Sequence, residues 1–260
     1  MKESVKKILA VALIAALAFA MVACGGDNTA DGGDIPTYTA VTEATFPPFD
    51  TVDENGNIIG FDMDLMNAIA EDQGFKVEYV DMEFDSLIPA VEAGNADIIT
   101  AGMNADDPER QAKVDFSNTY YDSALVVVVK NDNEDITSID DLTPDMKVAS
   151  QIGTTGADQV DELFANGKIA ESVILNGFDT CMLQLINGDI AAVIIDKPVA
   201  QAYMNKQPDK VKMVGEPLNA ESYGFAVQKG NSELLEKINT GLQNMIDNGT
   251  YDALVEEWFN

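Results

Sequence analysis

The sequence predicts an α/β fold made of two similar lobes, and three observations support that prediction. From residue 35 onward, short apolar runs alternate with amphipathic segments of helical period. The run 124–129 is continuously apolar, as a strand buried on both faces requires. An internal echo then relates two distant stretches. A helical segment stopped at Gly94 leads into Asp97-Ile98-Ile99-Thr100-Ala101-Gly102, and another stopped at Gly188 leads into Ala191-Ala192-Val193-Ile194-Ile195-Asp196. Aligning the two stop glycines sets Gly102 on Asp196, each at a strand end. In open α/β sheets ligands lie outside the carboxyl ends of strands, so Gly102 and Asp196 are expected to face one another across a cleft.

Taken in order, the chain begins with Lys2, Lys6 and Lys7 ahead of an uncharged apolar run, 8–23, which ends in Met21-Val22-Ala23-Cys24. This reads as a secretory signal, 1–23, because the run falls short of the roughly 20 apolar residues that a spanning helix needs. A small residue before a Cys that closes the run also resembles a bacterial lipobox, with Met21 in place of the usual Leu. Cys24 would then be lipidated and anchor the mature chain to the membrane from outside the cytoplasm. Residues 24–34, rich in Gly, Asp and Asn, read as a flexible spacer. The first strand is expected over 39–43. Asp62 can cap a helix that places Leu65, Met66, Ile69 and Ala70 on one face and stops at Gly74. A strand at 75–80, a helix at 85–93 and a strand at 96–101 follow. With Cys24 lipidated, Cys181 is the remaining thiol; its apolar surroundings make it a small core residue, with no intramolecular disulfide.

Composition excludes several function classes. The 260 residues include 15 Lys plus Arg against 45 Asp plus Glu, a net charge of −30, so nucleic acid is not an expected partner. Hydrophobic residues make up 46% and charged ones 23%, the balance of a globular protein. There is no histidine, which removes His-based general-base catalysis, the Ser-His-Asp triad and His-ligated zinc. No cofactor or metal is expected.

A series of motifs then resembles one family. They are Glu43-Ala44-Thr45-Phe46-Pro47-Pro48-Phe49, Gly60-Phe61-Asp62-Met63-Asp64-Leu65, Phe84-Asp85-Ser86-Leu87, Gly102-Met103 up to Glu109-Arg110, Val114-Asp115-Phe116-Ser117, Gly153-Thr154-Thr155-Gly156, and Asn248-Gly249-Thr250-Tyr251 closing on Trp258-Phe259. In this order they resemble the type 3 extracytoplasmic solute-binding proteins of polar amino acid ABC importers, over about 38–259. The resemblance implies a periplasmic-binding-protein fold, with lobe 1 at 35–121 plus 221–260, lobe 2 at 122–220, and two crossing strands joining them. It implies a monomer that closes on one free amino acid and delivers it to a transmembrane permease.

By that likeness Arg110 would grip the ligand α-carboxylate with its planar fork, helped by backbone amides at Gly153, Thr154 and Thr155 where a turn opens a helix. Asp196 would receive the α-ammonium, with the Gly102 carbonyl and Asn104 beside it. Met103 belongs to the same loop, which is one residue longer than the family's common spacing and has Asn104 where Ser or Thr is usual. Phe46 and Phe84 match positions that sandwich the ligand side chain. Glu43 would stand near the tip of that side chain, with Gln151 and Ile195 on the far side. One carboxylate and no cation at the tip favour a basic ligand such as arginine, lysine or ornithine, with a neutral amide such as glutamine also fitting. A cleft enzyme on the same scaffold, dehydratase-like with Glu43 as general acid, and a ligand-sensing domain are the competing readings. Retention of the whole amino acid clamp argues against an enzyme.

Overall fold

The computed structural model describes Ile35–Phe259; the expected signal segment 1–23, the spacer 24–34 and Cys24 lie outside the described residues. Strand β1 is Thr37–Thr42, followed by the short hairpin strands β2 (Thr51–Val52) and β3 (Ile58–Ile59). Helix α1, Phe61–Gln73, buries Leu65, Met66, Ile69 and Ala70, and Gly74 ends it in the left-handed conformation at φ 71°, donating its N–H to the Ala70 carbonyl. The N-cap is Gly60, not Asp62 as the sequence suggests. At Gly60 a Cβ would lie 1.9 Å from the Phe49 carbonyl oxygen, so a loop packed against the helix start leaves room only for glycine. Asp62 lies one residue inside the helix and turns its carboxylate into the core.

Next come β4 (Lys76–Asp81), α2 (Phe84–Glu92), β5 (Ile98–Ile99), the single turn α3 (Pro108–Gln111) and β6 (Val114–Phe116). Strand β7, Tyr121–Ser123, leads to β8, Leu125–Lys130, whose first five residues are all buried. The chain continues through β9 (Lys147–Gln151), α4 (Thr155–Ala165), β10 (Glu171–Leu175), α5 (Phe178–Asn187), β11 (Ala192–Asp196), α6 (Lys197–Lys206) and β12 (Val211–Val214). It closes with β13 (Glu221–Tyr223), β14 (Ala226–Gln228), α7 (Ser232–Asp247) and α8 (Thr250–Phe259).

These strands build two five-stranded sheets with the orders β4-β1-β5-β14-β6 and β10-β9-β11-β8-β12. In each sheet the first three strands run parallel and the last two antiparallel to their neighbours. The internal echo thus has a structural meaning, because β5 and β11 hold the same central place in two equivalent sheets. Each sheet is the centre of one lobe. Strands β7 and β13 pair antiparallel, Glu221 opposite Ser123 and Tyr223 opposite Tyr121, and carry the chain across and back. Around them Phe49, Phe61, Tyr121, Tyr223 and Phe259 pack ring to ring, with Phe49–Phe259 centroids 5.1 Å apart and Tyr121–Phe259 stacked at 4.8 Å. The last helix is fastened to the crossing by that cluster. Cys181 is fully buried on α5 and free. Among the described residues no helix is long and apolar enough to cross a membrane.

Candidate functional site

Residues at or just beyond the carboxyl ends of β5, β9 and β11 meet at one small cavity, the place that strand polarity selects for ligands. It is lined by Phe46, Phe84, Gly102, Asn104, Arg110, Gln151, Thr154, Thr155, Asp196 and Glu221. The space open to the centre of a water molecule is about 20 Å³, enough for a water or two. Anything of amino acid size therefore enters and leaves by parting the lobes.

Arg110 sits on α3, whose start is fixed by Asp107: its carboxylate accepts from the Glu109 amide at 2.7 Å and the Arg110 amide at 3.3 Å. Arg110 as a whole is 7% exposed. It donates through Nη1 to the Asn104 carbonyl at 3.3 Å and through Nη2 to the Gly153 carbonyl of the other lobe at 3.1 Å. Its Nε lies 3.6 Å from Asp107, and its centre stands 5.5 Å from the centroid of the Phe84 ring. Burial pulls the Arg110 pKa down, and Asp107, Glu221, Asp196 and Asp158 oppose that pull. It remains a cation, held in place on three sides.

Opposite, Asp196 ends β11 and occupies the N-cap position of α6 without capping it. Its carboxyl instead accepts from the Tyr223 hydroxyl and, at 3.4 Å, from Ser123. Burial, with Glu221 beside it, pushes its pKa well above the usual carboxylate range. Glu221, 2% exposed, accepts from the Thr155 hydroxyl at 2.6 Å and from the Asn219 amide at 3.1 Å. No sequence motif singles out Glu221, and its only distinguishing mark is an acid at the foot of the returning strand.

The remaining expected residues are placed as follows. Thr154 caps α4, its Oγ1 accepting from the Ala157 amide at 3.1 Å, so an 11-residue helix starts at the cavity, with Thr154 and Thr155 in its lining. Phe46 lines the cavity with Phe178 of the other lobe behind it, centroids 5.8 Å apart. Gly102, at φ 50°, brings its backbone against the Phe46 ring, where a Cβ would lie 2.5 Å from a ring carbon. Its amide donates to Asp62 at 2.8 Å. The Asn104 side chain serves the long loop, accepting from the amides of Asp106 at 3.1 Å and Ser222 at 3.4 Å. Met103 and Gly153 do not line this cavity. Met103 inserts its side chain among Val41, Leu87 and Ile99, and Gly153 turns its carbonyl to Arg110.

Glu43 also stands outside the lining, directly behind Gln151, whose Nε2 donates to the Glu43 carboxylate and to the Asn176 carbonyl, both at 2.9 Å. Both amide hydrogens of Gln151 are committed, so what it offers the cavity is its carbonyl oxygen, an acceptor. Burial raises the Glu43 pKa to about 6, in the range of a general acid, but Gln151 and Thr45 hold the same Oε2 and Glu43 does not line the cavity. A larger cavity, about 500 Å³, lies behind the crossing strands against Trp258 and Phe259, but its charged groups, Lys197 and Asp122, are solvent-exposed and do not face each other in a dry cleft.

Comparison with known proteins agrees with this geometry. A protein of Neisseria gonorrhoeae described as a probable histidine-binding protein is 35% identical over 98% of this chain and 96% of its own length. The solved structure of an ancestral arginine-binding protein bound to arginine superposes with a TM-score of 0.82 at 44% identity, covering 86% of this chain and 98% of that one. A solved structure of an ancestral arginine-binding protein bound to glutamine gives 0.79 at 44% identity, covering 86% and 97%. Residues 38–260 match the bacterial extracellular solute-binding proteins of family 3, and the chain belongs to that family.

Proposed function

We propose that this protein captures a free amino acid outside the cytoplasm and hands it to the permease of an ABC importer, with arginine the favoured ligand and glutamine the alternative. The observation behind this reading is one buried cavity with the Arg110 fork on one wall and the Asp196–Glu221 carboxyls on another. A zwitterion needs that arrangement, because each of its charges would otherwise be buried unpaired. The α-carboxylate lies against Arg110 and the first-turn amides of α4. The α-ammonium lies against Asp196 and the Gly102 carbonyl. The side chain runs between Phe46 and Phe84 toward the Gln151 carbonyl, an acceptor polarised by Glu43, which suits a guanidinium, an ammonium or an amide. The names of the relatives, which bind histidine, arginine or glutamine, support the same class.

Closure follows from residues that bridge the lobes: Arg110 to the Gly153 carbonyl, Gln151 to Glu43, Thr155 to Glu221, and the Tyr203 hydroxyl to the Thr45 carbonyl at 3.1 Å. The lobe boundaries fall within the crossing strands, giving 35–121 with 221–260 and 122–220. Cys24 carries a lipid that tethers the chain, a monomer, to the membrane. The test is thermal melting with each common amino acid. Arginine should raise the melting temperature most, since a ligand at 100 times its dissociation constant adds about 2.7 kcal/mol. A screen in which no amino acid shifts melting overturns the proposal.

A further inference from the structure

Two acids close on the same point of the cavity where one would serve. Glu221 pairs in β13 with Ser123, whose hydroxyl reaches Asp196, and Tyr223, two residues on, donates to the same Asp196 oxygen. The Asp196 and Glu221 carboxyls are both buried and line the same small cavity, and Glu221 lies near enough to raise the pKa of Asp196. Two carboxyls so placed can hydrogen-bond to one another only with a proton between them, since an ionised carboxylate only accepts. The donors divide accordingly. Asp196 Oδ1 takes the two hydroxyls, Glu221 Oε1 takes Thr155 and Asn219, and one oxygen of each is left for the shared proton.

We infer that Glu221 is a second ammonium-positioning residue and that the Asp196–Glu221 pair holds one proton which the arriving α-ammonium displaces to solvent. This rests on the proposed amino acid function. An ammonium group has three N–H donors and one positive charge. Set between the two carboxyls, it supplies the hydrogen bond that the proton supplied, and its charge makes keeping that proton unfavourable. The exchange balances: Asp196–OH bonded to Glu221 carboxylate becomes two carboxylates bonded to one ammonium, with one proton passed to buffer. Burial favours the proton-sharing state before binding, because two bare charges in one dry site repel. The titratable and charged groups facing the pair are Tyr223 on β13 and Arg110 on α3; Asp107 and Asp158 act on Arg110 in turn, and Glu43 lies beyond Gln151. Arg110 is the one cation among them. The ligand carboxylate neutralises it, so its help in ionising the pair passes to the ammonium.

The experiment is titration calorimetry of L-arginine into the protein in phosphate and in Tris, whose heats of ionisation differ, at several values between about pH 6 and 8. The heats should differ between buffers, reporting release of up to one proton per arginine, and affinity should tighten as pH rises, approaching about tenfold per unit at full release. Glu221→Gln donates an N–H to Asp196 in place of the shared proton, so release should fall toward zero and the pH dependence flatten while binding persists, weaker. Glu43 contributes equally to both proteins, so their difference reads the pair alone. Equal heats in the two buffers, or undiminished release from the Glu221→Gln variant, overturn the inference while amino acid binding stands. Absence of binding by arginine and every other amino acid in wild type overturns both.

Discussion

Glu43 lines no cavity, and under the proposed function it sets selectivity from behind Gln151. Its charge acts through Gln151, and burial places its pKa at about 6, so it is ionised above that value and neutral below it. The ratio of arginine to glutamine affinity should therefore fall as pH drops through about 6, measured by competition calorimetry. Glu43→Gln should weaken arginine by about 1–3 kcal/mol and leave glutamine nearly unchanged. Arg110→Ala should weaken any amino acid by about 2–5 kcal/mol, because the ligand carboxylate is left buried without its partner, while thermal melting of the unliganded protein changes little. Unchanged affinity would mean the long loop carries the fork elsewhere in solution. Asp62 makes a third case. It is fully buried on α1, accepts from the Gly102 amide and at 2.7 Å from the Tyr120 hydroxyl, and burial raises its pKa to about 7. The unfolded chain ionises this group first, so it subtracts stability as pH rises from the ordinary carboxylate range through about 7. Denaturant melts of Asp62→Asn should lose less stability over that interval than wild type; parallel curves would refute the assignment.

Among the elements, α4 does most for the cavity, and its position depends on one glycine. Gly156 lies in its first turn against β9 and β11, where a Cβ would come 2.6 Å from Ser150 Oγ and 3.1 Å from the Ile194 carbonyl oxygen. The Ile194 backbone cannot give way without moving β11, which carries Asp196. Gly156→Ala should therefore lift the helix start from the sheet, cost about 1–3 kcal/mol of stability by overpacking, and weaken ligand binding as well, since the Thr155 amide and Asp196 separate. Loss of stability with binding intact would show that the sheet, not the helix start, absorbs the strain. Strand β13 is the counterpart in the crossing. Three residues suffice to bring Glu221 and Tyr223 to one side of the pair it makes with β7, which is why hinge and site share residues here.

At the scale of the whole molecule, the proposed function makes closure and ligand burial the same event. The cavity is too small for an amino acid to enter with the lobes together, and the bonds that hold them together include Arg110, Gln151 and Glu221 themselves. The tethering proposed at Cys24 is a separate property that the sequence around it would carry. Cys24→Ser should move the protein from the membrane to the soluble or secreted fraction, since lipid attachment needs the thiol. A variant that stays with membranes as fully as wild type would point to an uncleaved helix instead.

What the sequence by itself determined is whatever depends on neighbours along the chain. Alternating apolar runs, the stops at Gly74 and Gly188, the repeated helix-glycine-strand phrase and the motif around Arg110 are local patterns, and they located both sheets and the Arg110 and Asp196 side chains that line one cavity. What only the tertiary structure decided is how far each polar group lies from the cavity and which group neutralises it. Asp62 reads as a cap because acids favour helix starts. The loop packed on Gly60 takes that position, and the Asp62 carboxylate serves Gly102 forty residues away. Glu43 reads as a ligand contact, and Gln151, 108 residues on, stands in front of it. Glu221 carries no local signature at all, because its role comes from strand register with Ser123 and from Thr155, 66 residues away. Desolvation and hydrogen-bond pairing act through space, and one-dimensional spacing does not record which distant donors fold to meet a buried acid.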